Sequence, residues 1–124
     1  MNGNARRVVA AMLALVGVLH LALAPEYLGE EAYLGVLFIG GGIGAVALAG
    51  WLWVRDNELA WVGAALLCAG MAVGFILSRT VGLPGFHEGE WELSGILSLL
   101  LEFGVIGAAA AALRTIRSSR TLAT

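Results

Sequence analysis

The residue with the clearest chemical potential is Glu102, which stands inside the apolar run Leu93–Leu113. It lies nine residues beyond Leu93, about 14 Å deep at the rise of an α-helix and so close to the middle of a bilayer. A carboxylate facing lipid at that depth costs several kcal/mol, so it must face other helices, find a partner or hold a proton. Ser94, Ser98 and Glu102 follow one another at four-residue spacing and fall on one stripe of a helix. Hydroxyls leading to an acid are what a short proton or cation path requires. The plainer role is a carboxyl that bonds a neighbouring helix and only stabilises the protein.

Two further ionisable groups sit near that stripe by depth. His20 lies near the end of the run Val8–Ala24, where an imidazole can carry a proton or bind a metal. Arg79 closes the run Leu59–Ser78 and is a natural counter-ion for Glu102 or for nearby acids. The segment Phe86-His87-Glu88-Gly89-Glu90-Trp91-Glu92 begins like the HExxH zinc motif, but Trp91 replaces the second His and the segment reads as a loop. It is no metalloprotease. His87, Glu88 and Glu90 form at most a weak divalent-cation cluster, suited to zinc or manganese, and a solvated acidic loop is the simpler reading. Haem between two His needs opposed helix positions, which His87 in a loop does not offer. No cofactor follows from the sequence. Cys68 is the single cysteine and lies in an apolar run, so neither a disulfide within the chain nor a CxxC motif exists.

The elements that position these groups are set by composition. Of 124 residues, 60% are hydrophobic and 13% are charged, and the mean hydropathy is +0.89. A soluble domain carries about a quarter charged residues, so much of this surface must face lipid. Four apolar runs, 8–24, 33–54, 59–78 and 93–113, approach the ~20 residues a helix needs to cross hydrocarbon. Backbone groups cannot stay unpaired there, so the spans read as helices. The expected fold is one all-α domain, residues 1–124, a bundle of four transmembrane helices. Pro25 is expected to end the first helix, Asp56-Asn57 to turn the second into the third, and Gly82-Leu83-Pro84-Gly85 to break the chain after the third.

Orientation follows from the cations, all of which are arginine. Arg6, Arg7, Arg55, Arg114, Arg117 and Arg120 fall on one side of such a bundle, which the positive-inside rule makes cytoplasmic. Glu26, Glu30, Glu31, Glu88, Glu90 and Glu92 fall on the other. Trp51, Trp53 and Trp61 are expected at the inner interface, and Tyr27, Tyr33, Phe86 and Trp91 at the outer one. The expected location is a bacterial cytoplasmic (inner) membrane, with both termini inside. The first run also has features of a cleavable signal peptide, but cleavage after Ala24 puts Pro25 beside the scissile bond, a poor substrate. No basic patch with interleaved aromatics supports nucleic-acid binding.

Small residues recur on every span. Helices in lipid associate where small side chains let backbones approach, so Gly40, Gly44, Gly70 and Gly74 are expected at helix contacts, within the bundle or between copies. The stretch Ser78-Arg79-Thr80-Val81-Gly82-Leu83-Pro84-Gly85-Phe86-His87-Glu88, with His20 and Pro25-Glu26, resembles a pattern in a family of small bacterial four-span membrane proteins. That resemblance implies the four-span fold and no activity. Function is therefore read from the polar residues. The leading expectation is an outward-facing site binding a proton or small cation through Glu102, His20 and Arg79, with Ser94 and Ser98 lining the approach. The alternatives are a structural or assembly subunit of a larger membrane complex, and a membrane enzyme acting on lipid or quinone; the balance leans away from an enzyme.

Overall fold

The computed structural model describes residues 1–123, which form four helices and no sheet: α1 Gly3–Glu30, α2 Ala32–Val54, α3 Glu58–Arg79 and α4 Leu93–Ala123. All four are long and apolar enough to cross a membrane. The chain is an all-α four-helix bundle and a multi-pass membrane protein. Its two ends differ: one carries both termini and the short turn 55–57, and the other carries the joint at Glu31 and the loop 80–92. They are called here the arginine-rich end and the acidic end.

The outer helices run further than the apolar pattern indicates. α1 does not stop at Pro25 but continues to Glu30 with the proline inside it. Proline costs the bond to the carbonyl four residues back, at Leu21, and ~3 kcal/mol or more in a helix interior. The extension is held because Tyr27 turns inward, 9% exposed, and stacks on Phe38 of α2 at 4.2 Å between ring centroids. Glu31 alone links α1 to α2, its N–H donating to the Tyr27 carbonyl at 2.9 Å. So tight a joint needs a small neighbour: a Cβ on Gly35 would collide with Leu28. α4 likewise continues past Leu113 to Ala123, carrying Arg114, Arg117 and Arg120 beyond the apolar run, and Arg120 pairs with Glu58.

The arginine-rich end is closed by side chains that satisfy helix termini. Asn2 and Asn57 cap α1 and α3, accepting from the Ala5 and Ala60 N–H groups at 2.7 and 3.1 Å. Arg6 donates to the Leu52 carbonyl at 2.8 Å and Arg7 to the Trp53 carbonyl at 3.3 Å. Both place cations where the last turn of α2 has orphan carbonyls and the negative end of its dipole. Trp61 is not an interface residue facing lipid. It is fully buried, and its indole N–H donates to Asp56 Oδ1 at 2.7 Å. Around it Leu13, Leu52, Ala64, Cys68, Val105 and Ala109 form a closed core.

The helices pack as two antiparallel hairpins, α1 along α2 and α3 along α4, while α2 and α3 touch far less. The close crossing is at Gly17 and Gly42, where a Cβ on Gly17 would lie 2.8 Å from the Gly42 carbonyl oxygen. Gly40, Gly70 and Gly74, by contrast, have nothing within 4 Å of a built Cβ, and Gly44 meets only Leu67 at 3.5 Å. The glycines that seat helices inside this chain are therefore Gly17, Gly35, Gly42, Gly95 and Gly104. α2 is one unbroken helix through the 40–44 glycine cluster.

Candidate functional site

A cavity of about 410 Å³ lies among the four helices toward the acidic end. Every helix contributes. α1 supplies His20, Leu23 and Tyr27, the i, i+3, i+7 face that its continuation past Pro25 completes. α2 adds Leu37 and Phe38, and α3 adds Leu67, Gly70, Met71, Gly74 and Phe75. α4 brings Gly95, Ser98 and Glu102, with Glu92 where the chain enters it. The wall is overwhelmingly leucine, methionine and aromatic carbon.

Glu102 is 2% exposed. Ser98, one turn earlier, donates its hydroxyl to Glu102 Oε2 at 2.6 Å. The other oxygen, Oε1, is buried and has no hydrogen-bond partner among the described residues. An unsatisfied buried polar atom costs ~1–3 kcal/mol, more for a charged group. The Ser98 bond lies within α4 itself, so this carboxyl ties no two helices together. That removes the main support for a purely structural Glu102.

The sequence-derived candidates divide. Glu102, Ser98 and His20 line one cavity. The His20 Nδ1–H donates to the Val16 carbonyl at 2.9 Å, which leaves Nε2 as the ring's acceptor, and the ring leans on Phe38 at 4.8 Å. Ser94 shares the helix stripe but does not line the cavity.

Arg79 is committed elsewhere. Its Nη2 pairs with Glu92 Oε2 at 2.7 Å and bonds the Tyr27 hydroxyl at 3.2 Å, its Nη1 donates to Ser78 Oγ at 2.8 Å, and its Nε donates to the Glu90 carbonyl at 3.1 Å. The guanidinium also lies 4.4 Å from the Phe75 ring centroid. Glu92 precedes Glu102 by ten residues, about 15 Å along a helix, so Arg79 is the partner of an acid at the acidic end and not of Glu102. It knots α1, α3 and the start of α4 into a clasp beside the cavity at the acidic end.

The loop 80–92 is folded onto this clasp. Leu83 and Phe86 exchange backbone hydrogen bonds at 2.7 and 2.9 Å across a tight turn. Gly82 and Gly85 take left-handed φ values of 92° and 70° there, which favour glycine. Tyr33 donates its hydroxyl to the Pro84 carbonyl, and Phe86 meets Tyr27 at 5.6 Å. His87 Nε2 is engaged by the Thr80 carbonyl at 3.0 Å, and Glu88 Oε1 accepts from the Glu90 N–H at 3.1 Å. Among the described residues no three His, Cys, Asp or Glu side chains come together as a metal-holding group. His87, Glu88 and Glu90 thus serve the fold of the loop in this arrangement.

Sequence reasoning missed Tyr27, Phe38, Phe75 and Gly70/Gly74 as cavity walls. The i, i+7 spacing of His20 and Tyr27 was visible, but a helix assumed to end at Pro25 hides it. Phe38 and Phe75 look like ordinary span residues, and the open space at Gly70 and Gly74 depends on tertiary packing that spacing does not encode. No family model matches the chain, and neither does any curated protein or solved structure.

Proposed function

We propose that this chain is a membrane-embedded binding protein that takes a proton or a cation at Glu102, in a cavity entered from the outer half of the bilayer. The observation that carries this reading is Glu102, a cavity-lining residue whose buried carboxyl oxygen Oε1 has no hydrogen-bond partner among the described residues. Stable proteins leave few such atoms, and those that persist mark a place for a water, a ligand, an ion or a proton. Arg79 is fully engaged with Glu92 and its other partners, so the negative charge that Glu102 can carry has no built-in counter-ion. Ser98 holds the carboxyl in place, and His20 offers a second titratable group on the same wall.

The polar features gather in the acidic half, while the arginine-rich half is a closed core around Trp61. Binding, sensing or an accessory role fits one-sided access better than a transport path open to both sides. The assembly-subunit reading draws less support, because Glu102 makes its hydrogen bond inside its own helix.

The test is thermal stability of purified wild type and Glu102→Gln, across acidic to neutral pH and a panel of cations. A pH- or cation-dependent stabilisation of wild type that is lost in Glu102→Gln supports the site. Equal profiles for the two proteins refute it.

A further inference from the structure

The cavity walls specify the cation more narrowly. We infer that the site takes an amphipathic organic ammonium, which enters sideways from the lipid between α2 and α3, with its charged head on Glu102 and its apolar body along the aromatic and leucine wall. This inference rests on Glu102 being a cation-binding carboxyl.

Size is the first argument. A cavity of about 410 Å³ lies within the ~300–1,000 Å³ of pockets that hold organic ligands. It is far larger than one ion needs, and it offers that ion too few oxygen ligands, since hard cations call for about six. Wall chemistry is the second. Phe38 and Tyr27 line the space, and aromatic faces attract an ammonium group that has left water, whereas the Phe75 ring already carries the Arg79 guanidinium. Inorganic cations gain nothing from the leucine lining.

Charge is the third argument, and it also decides between occupants. The titratable groups facing the cavity are His20, Tyr27, Tyr33, Glu92 and Glu102. Glu92 is paired with Arg79, leaving Glu102 as the uncompensated acid. A lipid acyl chain would fill the volume and leave Oε1 without a partner. A second copy of the chain brings no cation to that depth, because its arginines lie at the arginine-rich end or, as Arg79, are already engaged.

Access is the fourth. Leu37 and Leu66 line the cavity and are also 63% and 69% exposed on the helix surface, so the wall runs out onto the face that meets lipid. Gly70 and Gly74 stand at this opening with open space where a side chain would be. An amphiphile dissolved in the outer leaflet can slide between α2 and α3 without unfastening the Arg79 clasp.

The experiment measures thermal unfolding of wild type, Glu102→Gln and Gly74→Leu in lipid nanodiscs, titrated with octylammonium, 1-octanol or potassium chloride. Octylammonium is expected to stabilise wild type saturably, and octanol and potassium are not. Glu102→Gln should weaken the apparent affinity about ten- to a hundredfold, the worth of one hydrogen bond to a charged group. Gly74→Leu should fold as wild type, since its Cβ meets nothing, and lose the response because its side chain fills the opening. Stabilisation by octanol equal to that by octylammonium overturns the inference in favour of an apolar slot. A response to octylammonium that survives Gly74→Leu, or a change from dimer to monomer in that variant, also overturns it. A pH or potassium response that depends on Glu102, with none to octylammonium, overturns the inference and leaves the proposed function standing. A Glu102→Gln profile equal to that of wild type with every titrant ends both.

Discussion

Glu92→Gln tests whether the clasp at the acidic end is held by a specific ion pair or by general acidity of the loop. Arg79 has a side chain 2% exposed, and Glu92 opposite it is 39% exposed. Removing one partner of a buried pair costs ~3–5 kcal/mol, whereas pairs in water are worth ~0–1 kcal/mol. The variant leaves the guanidinium buried with three neutral partners, Glu90 O, Tyr27 Oη and Ser78 Oγ, which retain part of the stabilisation. The half-open position of Glu92 lowers the figure further, to about 2–3 kcal/mol. Glu90→Gln is the control, because Glu90 meets Arg79 only through its backbone carbonyl, and it should shift stability by less than about 0.5 kcal/mol. Equilibrium unfolding in mixed micelles, followed by helical circular dichroism, reads both. Equal stabilities for Glu92→Gln and Glu90→Gln would refute the reasoning and make the loop a diffuse acidic surface.

Gly17→Leu places a side chain against the Gly42 carbonyl oxygen at 2.8 Å and should destabilise by ~1–3 kcal/mol or more. Gly74→Leu, in open space, should be neutral or stabilising by up to ~1 kcal/mol from helix propensity; the same unfolding assay separates the two. Trp61→Phe removes the bond to Asp56 in the closed core and should cost ~1–2 kcal/mol, read as a lowered unfolding midpoint. Arg79→Gln and Glu102→Gln should be additive within ~0.5 kcal/mol in a double-mutant cycle, since they share no bond; a larger coupling contradicts the separate placement of clasp and carboxyl.

Span number and type were legible because lipid leaves a chain few options: four apolar runs of sufficient length, with no partner in sequence for their backbone groups, have to be helices. Helix ends were less legible. Pro25 and Leu113 mark where the apolar pattern stops, but Tyr27 stacking on Phe38 and the exposed arginines of α4 carry the helices further. Glu102 stands out in sequence by depth alone, and Ser98 by its spacing from it. The partner of Arg79 was open in sequence between Glu102 and the outer acids, because choosing Glu92 requires knowing how the loop 80–92 folds back. Gly70 and Gly74 carry the GxxxG spacing of a helix contact and instead face open space. Spacing fixes which glycines share a face, whereas the packing of the neighbouring helices fixes what that face meets.

The central claim is that Glu102 is an available carboxyl at a lipid-accessible cavity, and covalent labelling tests it most directly. A hydrophobic carbodiimide reacts with carboxyl groups it can reach from the lipid, and peptide mass spectrometry locates the adduct. The expected result, with the protein in bilayers, is modification at Glu102, slowed in the presence of octylammonium. Modification confined to Glu26, Glu30, Glu88 and Glu90 at the acidic end, with Glu102 untouched, would contradict the account.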